Sequence, residues 1–501
     1  TGRSGVHSLT LRGFDQRQTT LLIDGVPAYV PYDGLLNLDL LPVEILDHIT
    51  LVKRSGSQLH SPNSMGGTIN LVTRAPGAGP LVELLTDYGS ANALNLGASH
   101  ALRLGPVSYT LYGGWRRRDA FPLAASFTPT PRENGVLREN SDSAIFHAGG
   151  TFRVRISDRH VLRASALLVD GARGIPPGLD EPVVRYWRFS TWRALNVSAG
   201  HRGRYLGGSL EVDEVAFFRG FDNLVDSFDD DTYQTQTSAR AFHSGHHDQL
   251  AGGRARAHLH LAKTPWGPTD LRLWLSGQVD RHEEDAPPPG NNTLMRGLVS
   301  IIPEAEAFFG ERWSATTAAQ LDIEIPGTTP GGNAASRLGF GFWVSGHFDP
   351  SDNLSLRGTV ARRHRFPTLK ERFTSAQGRR IPNPDLTPEK AWRFSLDATW
   401  CPLRAISFRG GLHDAEVSDL IVLTPQGGGR EQLRNISSAR LLGADVEVSY
   451  RWRRWIDAHA AYAFLYARQD RVLTGDDRLP YRPAHQATFV FRSTPLTWLA
   501  L

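Results

Sequence analysis

The chain has 501 residues, a formal net charge of +4 and 40% hydrophobic residues, with 49 Gly, 31 Pro and 12 Trp. So small a charge, carried by scattered arginines, gives no footing for nucleic-acid binding, and the single cysteine, Cys401, excludes an internal disulfide and a multi-cysteine metal site. No uninterrupted apolar run of about 18 residues occurs, so no transmembrane helix is expected; a membrane barrel stays open, because its strands need only about 10 residues and are polar on one face.

The chain starts Thr1-Gly2-Arg3 with no targeting leader, and is read as a fragment or processed chain. Apolar runs at Thr20–Ile23, Ile49–Val52 and Thr68–Val72 read as strands, separated by Gly-rich turns, with one helical candidate at Val43–Ile49. Asp24-Gly25 behind Leu21, Leu22 and Ile23 is a hairpin signal, since both residues tolerate positive φ. Residues 1–75 therefore form a small mixed α/β unit, and the Pro/Gly-rich stretch that follows places a linker at 76–80.

From residue 81 the pattern becomes alternation of period two. Arg254–Leu261 sets Ala255, Ala257, Leu259 and Leu261 against Arg254, Arg256, His258 and His260. Leu271–Val279, Phe394–Trp400 and Ala444–Tyr450 repeat the rule, with Asp397, Asp445 and Glu447 on the polar faces of the last two. Segments of roughly ten residues ending near Trp or Tyr suit a membrane barrel with an aromatic girdle. Connections alternate too: short turns at 104–106, 157–159 and 349–353, long polar loops near 116–143, 170–192, 219–247, 280–297, 366–391 and 424–438. The fold class is mainly β, an antiparallel transmembrane barrel over 81–501 in which about 18 or 19 strands are counted.

The first stretch carries more specific motifs. Arg12-Gly13-Phe14, Asp24-Gly25-Val26-Pro27, Pro42 with Glu44, Ile45 and Ile49, and Gly66-Gly67 before Ile69-Asn70-Leu71-Val72-Thr73 occur in that order. Together they resemble the second half of the plug domain of TonB-dependent outer-membrane receptors. The sequence departs from that pattern where Arg54 and Ser55 separate Lys53 from Gly56. "RFPTLKERF" (365–373) and "NPDLTPEKAW" (383–392) resemble an extracellular loop of the same receptors, and "YRPAHQ" (481–486) a late barrel strand.

The resemblance implies a barrel of about 22 strands around a plug, lying in the outer membrane of a Gram-negative bacterium. It implies that the first plug half, the TonB box and about three last strands lie outside this sequence. The implied partners are the TonB energy-transducing complex, outer-membrane lipid and a metal-chelate ligand, a ferric siderophore or cobalamin-like complex; the implied mechanism needs no covalent chemistry, no enzyme activity and no cofactor. A passive outer-membrane pore would share the barrel but lack the plug motifs, and a soluble β-rich binding protein or carbohydrate-active enzyme would bury the apolar face. No Ser, His and Asp positions form a hydrolase motif.

Three sets of candidate residues follow. Tyr29, Tyr32 and Asp33, in the position of an apical plug loop, are expected to contact ligand, the tyrosines offering flat amphipathic surface. Plug arginines Arg12, Arg17, Arg54 and Arg74 are expected to pair with lumen-facing Asp397, Asp445 and Glu447, because charges buried without partners are costly. Asp229, Asp230, Asp231, His243, His246, His247, His282, Glu283 and Glu284 fall in loops near the mouth; their carboxylates could hold Ca²⁺ and their mixed set Zn²⁺ or Cu²⁺.

Overall fold

The computed structural model describes residues 9–494 other than 39–40, 54–63, 76–79, 131, 134, 180–183, 240, 286–291, 331–334, 376–378, 454 and 471–475. Most of the expected linker, at 76–80, lies outside the described residues. Near the N-terminus, β1 (Thr20–Ile23) and β2 (Val26–Pro27) form a tight hairpin. Asp24 and Gly25 take φ of 50° and 80°, the left-handed values such a turn requires. Asp24 also accepts hydrogen bonds from Thr73 N (2.8 Å) and Thr73 Oγ1 (2.7 Å), so the residue that turns the hairpin ties it to a neighbouring strand.

That neighbour is β4 (Thr68–Thr73), parallel to β1 and antiparallel to β3 (Leu46–Val52), in a four-stranded sheet of order β2-β1-β4-β3. The helix expected over Val43–Ile49 is instead a single 3-10 turn, Val43–Ile45, before Leu46 enters β3. Seven residues are too few to hold a helix alone, and β-branched Ile49, Thr50 and Val52 pair readily with β4. Gly66 and Gly67 open β4 where nothing larger fits: a Cβ at Gly67, whose φ is 130°, would lie 2.4 Å from the Val52 carbonyl oxygen, and one at Gly66 would lie 2.5 Å from Phe14 Cβ. Gly67→Ala is therefore expected to destabilise this sheet by about 1–3 kcal/mol. Faster proteolysis of residues 9–75 with the barrel intact would register it; unchanged cleavage would show that the sheet absorbs the extra carbon.

From Leu81 to Arg492, nineteen strands among the described residues run around a barrel. One, the two-residue Arg380–Ile381, pairs in parallel with Glu431 and Gln432 above the wall; the other eighteen form the wall and pair antiparallel with their neighbours. The first and last, Leu81–Gly89 and His485–Arg492, are neighbours in the closed ring; on their other sides ladders join them to Ala93–Leu104 and Ile456–Gln469, and each is exposed along nearly its whole length.

The apolar face of the alternation points outward. Leu271, Leu273 and Leu275 are 39%, 40% and 43% exposed, while Gln278 and Asp280 between the wall and the lumen are buried. A soluble sandwich would reverse this, whereas a bilayer covers it. Trp266, Trp313, Trp400 and Trp452 all stand exposed at the short-turn end, an aromatic girdle at one interface.

The wall is taller than expected. Tyr186–Tyr205, Phe242–Leu261 and Glu431–Trp452 are strands of 20, 20 and 22 residues, about twice what a bilayer needs. Much of the expected loops at 219–247 and 280–297 is therefore strand, because the ladder continues once it has left the membrane. The β1–β4 sheet sits in the lumen, packed on the wall on two sides. Its own core is Leu21, Ala28, Leu36, Leu41 and Leu71. Val30 and Ile45 pack on one side of the wall with Trp192 and Phe189, and Phe14 and Met65 on the other with Leu441 and Val417.

Candidate functional site

The loop after β2 rises to the long-loop end of the barrel and is closed on itself by Val30 N donating to Leu35 O and Gly34 N to Val30 O, both at 2.8 Å. Asp33 Oδ1 accepts from Leu35 N at 3.0 Å. Gly34, at φ 72°, leaves room for a wall loop: a Cβ there would meet Thr368 Cγ2 at 2.9 Å. Thr368 caps α1 (Leu369–Phe373), its hydroxyl accepting from Glu371 N at 3.1 Å while Glu371 accepts from Thr368 N at 2.8 Å. Lys370 N then donates to Tyr32 O at 2.8 Å, so α1 lies directly on the apex of the plug.

Tyr32 is held between plug and wall. Its N–H donates to Asp248 Oδ1 at 2.9 Å. Its ring stacks on His282, centroids 3.8 Å apart and planes 8° from parallel, with His246 6.2 Å away. Lys370 Nζ lies 5.5 Å from the ring centroid and 3.8 Å from Asp33. Burial pushes the Tyr32 phenol up to about 12, so it stays a neutral donor at physiological pH.

Of the nine metal-ligating candidates, only three converge. His246, His282 and Glu284 bring one donor atom each within 4.8 Å of one another. The reason is the strand period: Phe242–Leu261 pairs with Thr269–Asp285 so that His246 faces Glu284 and Asp248 faces His282, all on the lumen side. His243, His247 and Glu283 fall on the alternate face, where they bond Asp226 (2.6 Å), Asp222 (2.7 Å) and Arg281 (2.7 Å). Asp229 and Asp230 organise their own turn, accepting from Thr237 N (2.8 Å) and Thr232 N (2.9 Å), and Asp231 is exposed beside them. These six do not join the cluster.

Tyr29 is not at the mouth. Its hydroxyl donates to Asp280 Oδ1 at 3.0 Å, and Asp280 in turn accepts from Arg296 Nε at 2.9 Å. Burial and the Asp280 carboxylate push this phenol well above its usual range, and the residue is a plug-to-wall fastener. Other fasteners are ionic. Arg12 reaches Asp397 (3.2 Å) and Asp445 (2.9 Å), and Lys53 adds to Asp445 at 3.3 Å. Arg74 pairs with Glu83 on the first wall strand. Arg54 lies outside the described residues. Glu447 pairs with Arg409 (2.9 Å), which sits directly opposite it in the wall, so it is unavailable to the plug.

Arg17 reaches neither strand carboxylate but Glu371, at 3.2 Å. This belongs to a buried charge cluster that sequence reasoning missed. Arg365 donates to Glu371 (2.8 Å) and Glu389 (2.8 Å), and Gln18 of the plug donates to Glu389 at 3.0 Å. Burial would raise the Glu371 carboxyl, but Arg365 and Arg17 hold it down at about 2. The motif at 365–373 is thus a strap from wall to plug apex; its Thr-x-x-Glu capping box was the legible signal.

A sheet held in the lumen by buried ion pairs to the wall, inside a barrel with an apolar exterior, defines a plugged membrane barrel. The sequence matches the TonB-dependent receptor plug domain over residues 1–68 and the TonB-dependent receptor-like β-barrel over 87–501, and the chain belongs to the TonB-dependent receptor family, whose members are receptors and transporters of the Gram-negative outer membrane rather than enzymes. Vitamin B12 transporter BtuB of Vibrio vulnificus (strain CMCP6) is 27% identical over 124 residues, 24% of this chain and 20% of that protein. The match therefore spans about a fifth of that relative's length. Solved structures of the same fold include a double mutant of the Serratia marcescens hemophore receptor HasR in complex with its hemophore HasA and heme (TM-score 0.80, 13% identity, 99% of this chain and 84% of that one) and the copper transporter OprC (TM-score 0.77, 16% identity, 98% and 78%).

Proposed function

We propose that this receptor takes up a scarce metal-containing solute with high affinity, of the ferric siderophore or cobalamin-like kind, and passes it inward when TonB acts on the plug. The observation that carries this reading is the stack of plug residue Tyr32 on wall residue His282 at the barrel mouth. A ligand seated there touches both bodies, so its binding free energy differs between the seated and displaced plug. An outer membrane has no ATP supply, so release against tight binding needs work from the periplasmic side. The relatives named above bind vitamin B12, heme carried by a hemophore, and copper according to their names, which supports a metal-containing cargo without choosing one.

Uptake by cells carrying the complete gene in a receptor-deficient strain, with and without functional TonB, tests this. Labelled ferric siderophores, cobalamin and metal salts form the panel. Accumulation of one solute that disappears without TonB is the expected outcome. Accumulation indifferent to TonB would make the protein a passive pore.

A further inference from the structure

We propose that His246, His282 and Glu284 coordinate a divalent late transition metal ion, of the Zn²⁺ or Cu²⁺ class, at the mouth of this barrel. The inference rests on the receptor reading above and, within the class of metal-containing solutes, favours a metal whose coordination the protein itself completes over a fully coordinated chelate.

Three independent features of the site point there. First, one donor atom from each side chain lies within 4.8 Å of the other two. Small rotamer adjustments close such a triangle around one ion with bonds of about 2.0–2.2 Å. Second, His282 is buried, its Nδ1 lies 3.2 Å from Asp248 Oδ1, and its other ring nitrogen, Nε2, is buried with no hydrogen-bond partner among the described residues. An orphaned buried nitrogen is costly; a carboxylate on one side of the imidazole leaves a lone pair on the other and is the usual support of a metal-ligating histidine. Third, the Tyr32 ring at 3.8 Å from that imidazole covers its face and fixes its plane, so the Nε2 edge is held in one direction.

The donor set selects the ion. Two imidazoles and one carboxylate suit Zn²⁺ and Cu²⁺, whereas Ca²⁺ and Mg²⁺ take oxygen ligands throughout. Charge agrees: Glu284 and Asp248 face the site, and Lys370, the nearby cation, lies 3.8 Å from Asp33. Three protein donors leave a fourth position for water or for a donor atom of a carrier molecule, as an exchangeable cargo requires. Ser244, 3.2 Å from His246 Nε2, lies on the same face and holds that ring in the absence of metal.

The test uses the purified receptor, stripped with chelator and dialysed against zinc chloride or copper sulfate alone. One retained ion per chain is expected, with Cu²⁺ showing coupling to two nitrogens in its electron paramagnetic resonance spectrum. His246→Ala and His282→Ala should each weaken retention at least tenfold, and Asp248→Asn roughly 10- to 100-fold through loss of the imidazole's support. His247→Ala, on the opposite face of the same strand, should retain the ion as the unaltered receptor does. Glu284→Gln, nearly isosteric, covers the case in which a histidine variant fails to fold. No retained ion, or equal retention by the triad variants, overturns the proposal. TonB-dependent uptake of a different solute by the same protein would then leave the receptor reading standing, and TonB-independent uptake would remove that reading separately.

Discussion

Arg365→Met is expected to release α1 from the plug apex and to cost about 3–5 kcal/mol, the usual penalty for leaving buried charge without its partner. The side chain bridges Glu371 and Glu389, both buried, and among the described residues no other wall cation reaches both. Arg17, across the plug boundary at 3.2 Å, and the Thr368 N–H at 2.8 Å would remain on Glu371. Protease cleavage within 366–374 should rise in the variant above the level of the unaltered protein, and so should ion conductance in planar bilayers. If cleavage and conductance both stay at the original level, the charge cluster does not hold the strap. The same cluster has an acid limit whose sign follows from Glu371. Its folded value of about 2 is depressed below the ordinary 4.5, so its contribution is complete above pH about 4.5 and is lost as pH falls through about 2. Hydrogen exchange of residues 366–374 in the unaltered protein should therefore be flat from pH 7 to about 5, after correction for intrinsic rates, and rise toward the variant's only below that window.

Tyr32→Ala should weaken ligand binding to whole cells roughly thirtyfold or more, the loss expected for an aromatic anchor worth ~2 kcal/mol at the centre of a site. Its ring covers His282 and its backbone is fixed from both sides, by Asp248 and by Lys370. Tyr29→Phe is the matched comparison. It removes the hydroxyl that donates to Asp280, costs about 1–2 kcal/mol of plug seating, and leaves affinity unchanged because Tyr29 does not reach the mouth. Saturation binding of the solute identified by the uptake panel measures both. Equal losses in the two variants would mean that Tyr32 acts only by seating the plug.

Several parts of this structure were legible in residues close together along the chain. Asp24-Gly25 specifies its hairpin through left-handed φ, and Gly66-Gly67 specifies a β4 start that admits no Cβ. Alternation of period two identified the wall strands and placed Leu271, Leu273 and Leu275 on one apolar face; that this face points outward is seen in their exposure. The Val43–Ile49 segment was misread because a run that short has no stable helix of its own and follows the sheet it borders.

The site was legible only in part, and the missing piece was register. The alternation continued through His246 and Asp248, and through Asp280, His282 and Glu284, but read as loops these residues had no assigned face. Following the same period past the membrane would have separated them from His243, His247 and Glu283. Nothing local tells Glu447 that Arg409 stands opposite it, or Arg17 that Glu371 folds back over the plug.

Local chemistry alone determined the plug hairpin, the strand pattern of the wall and the polarity of each strand face, because backbone φ preferences and side-chain alternation act between residues one or two positions apart. Which charges meet, which tyrosine reaches the mouth, and which two histidines and one glutamate converge depended on strands brought together across as many as several hundred residues. Those choices belong to the tertiary structure, since burying a charge is tolerable only where the fold delivers its partner.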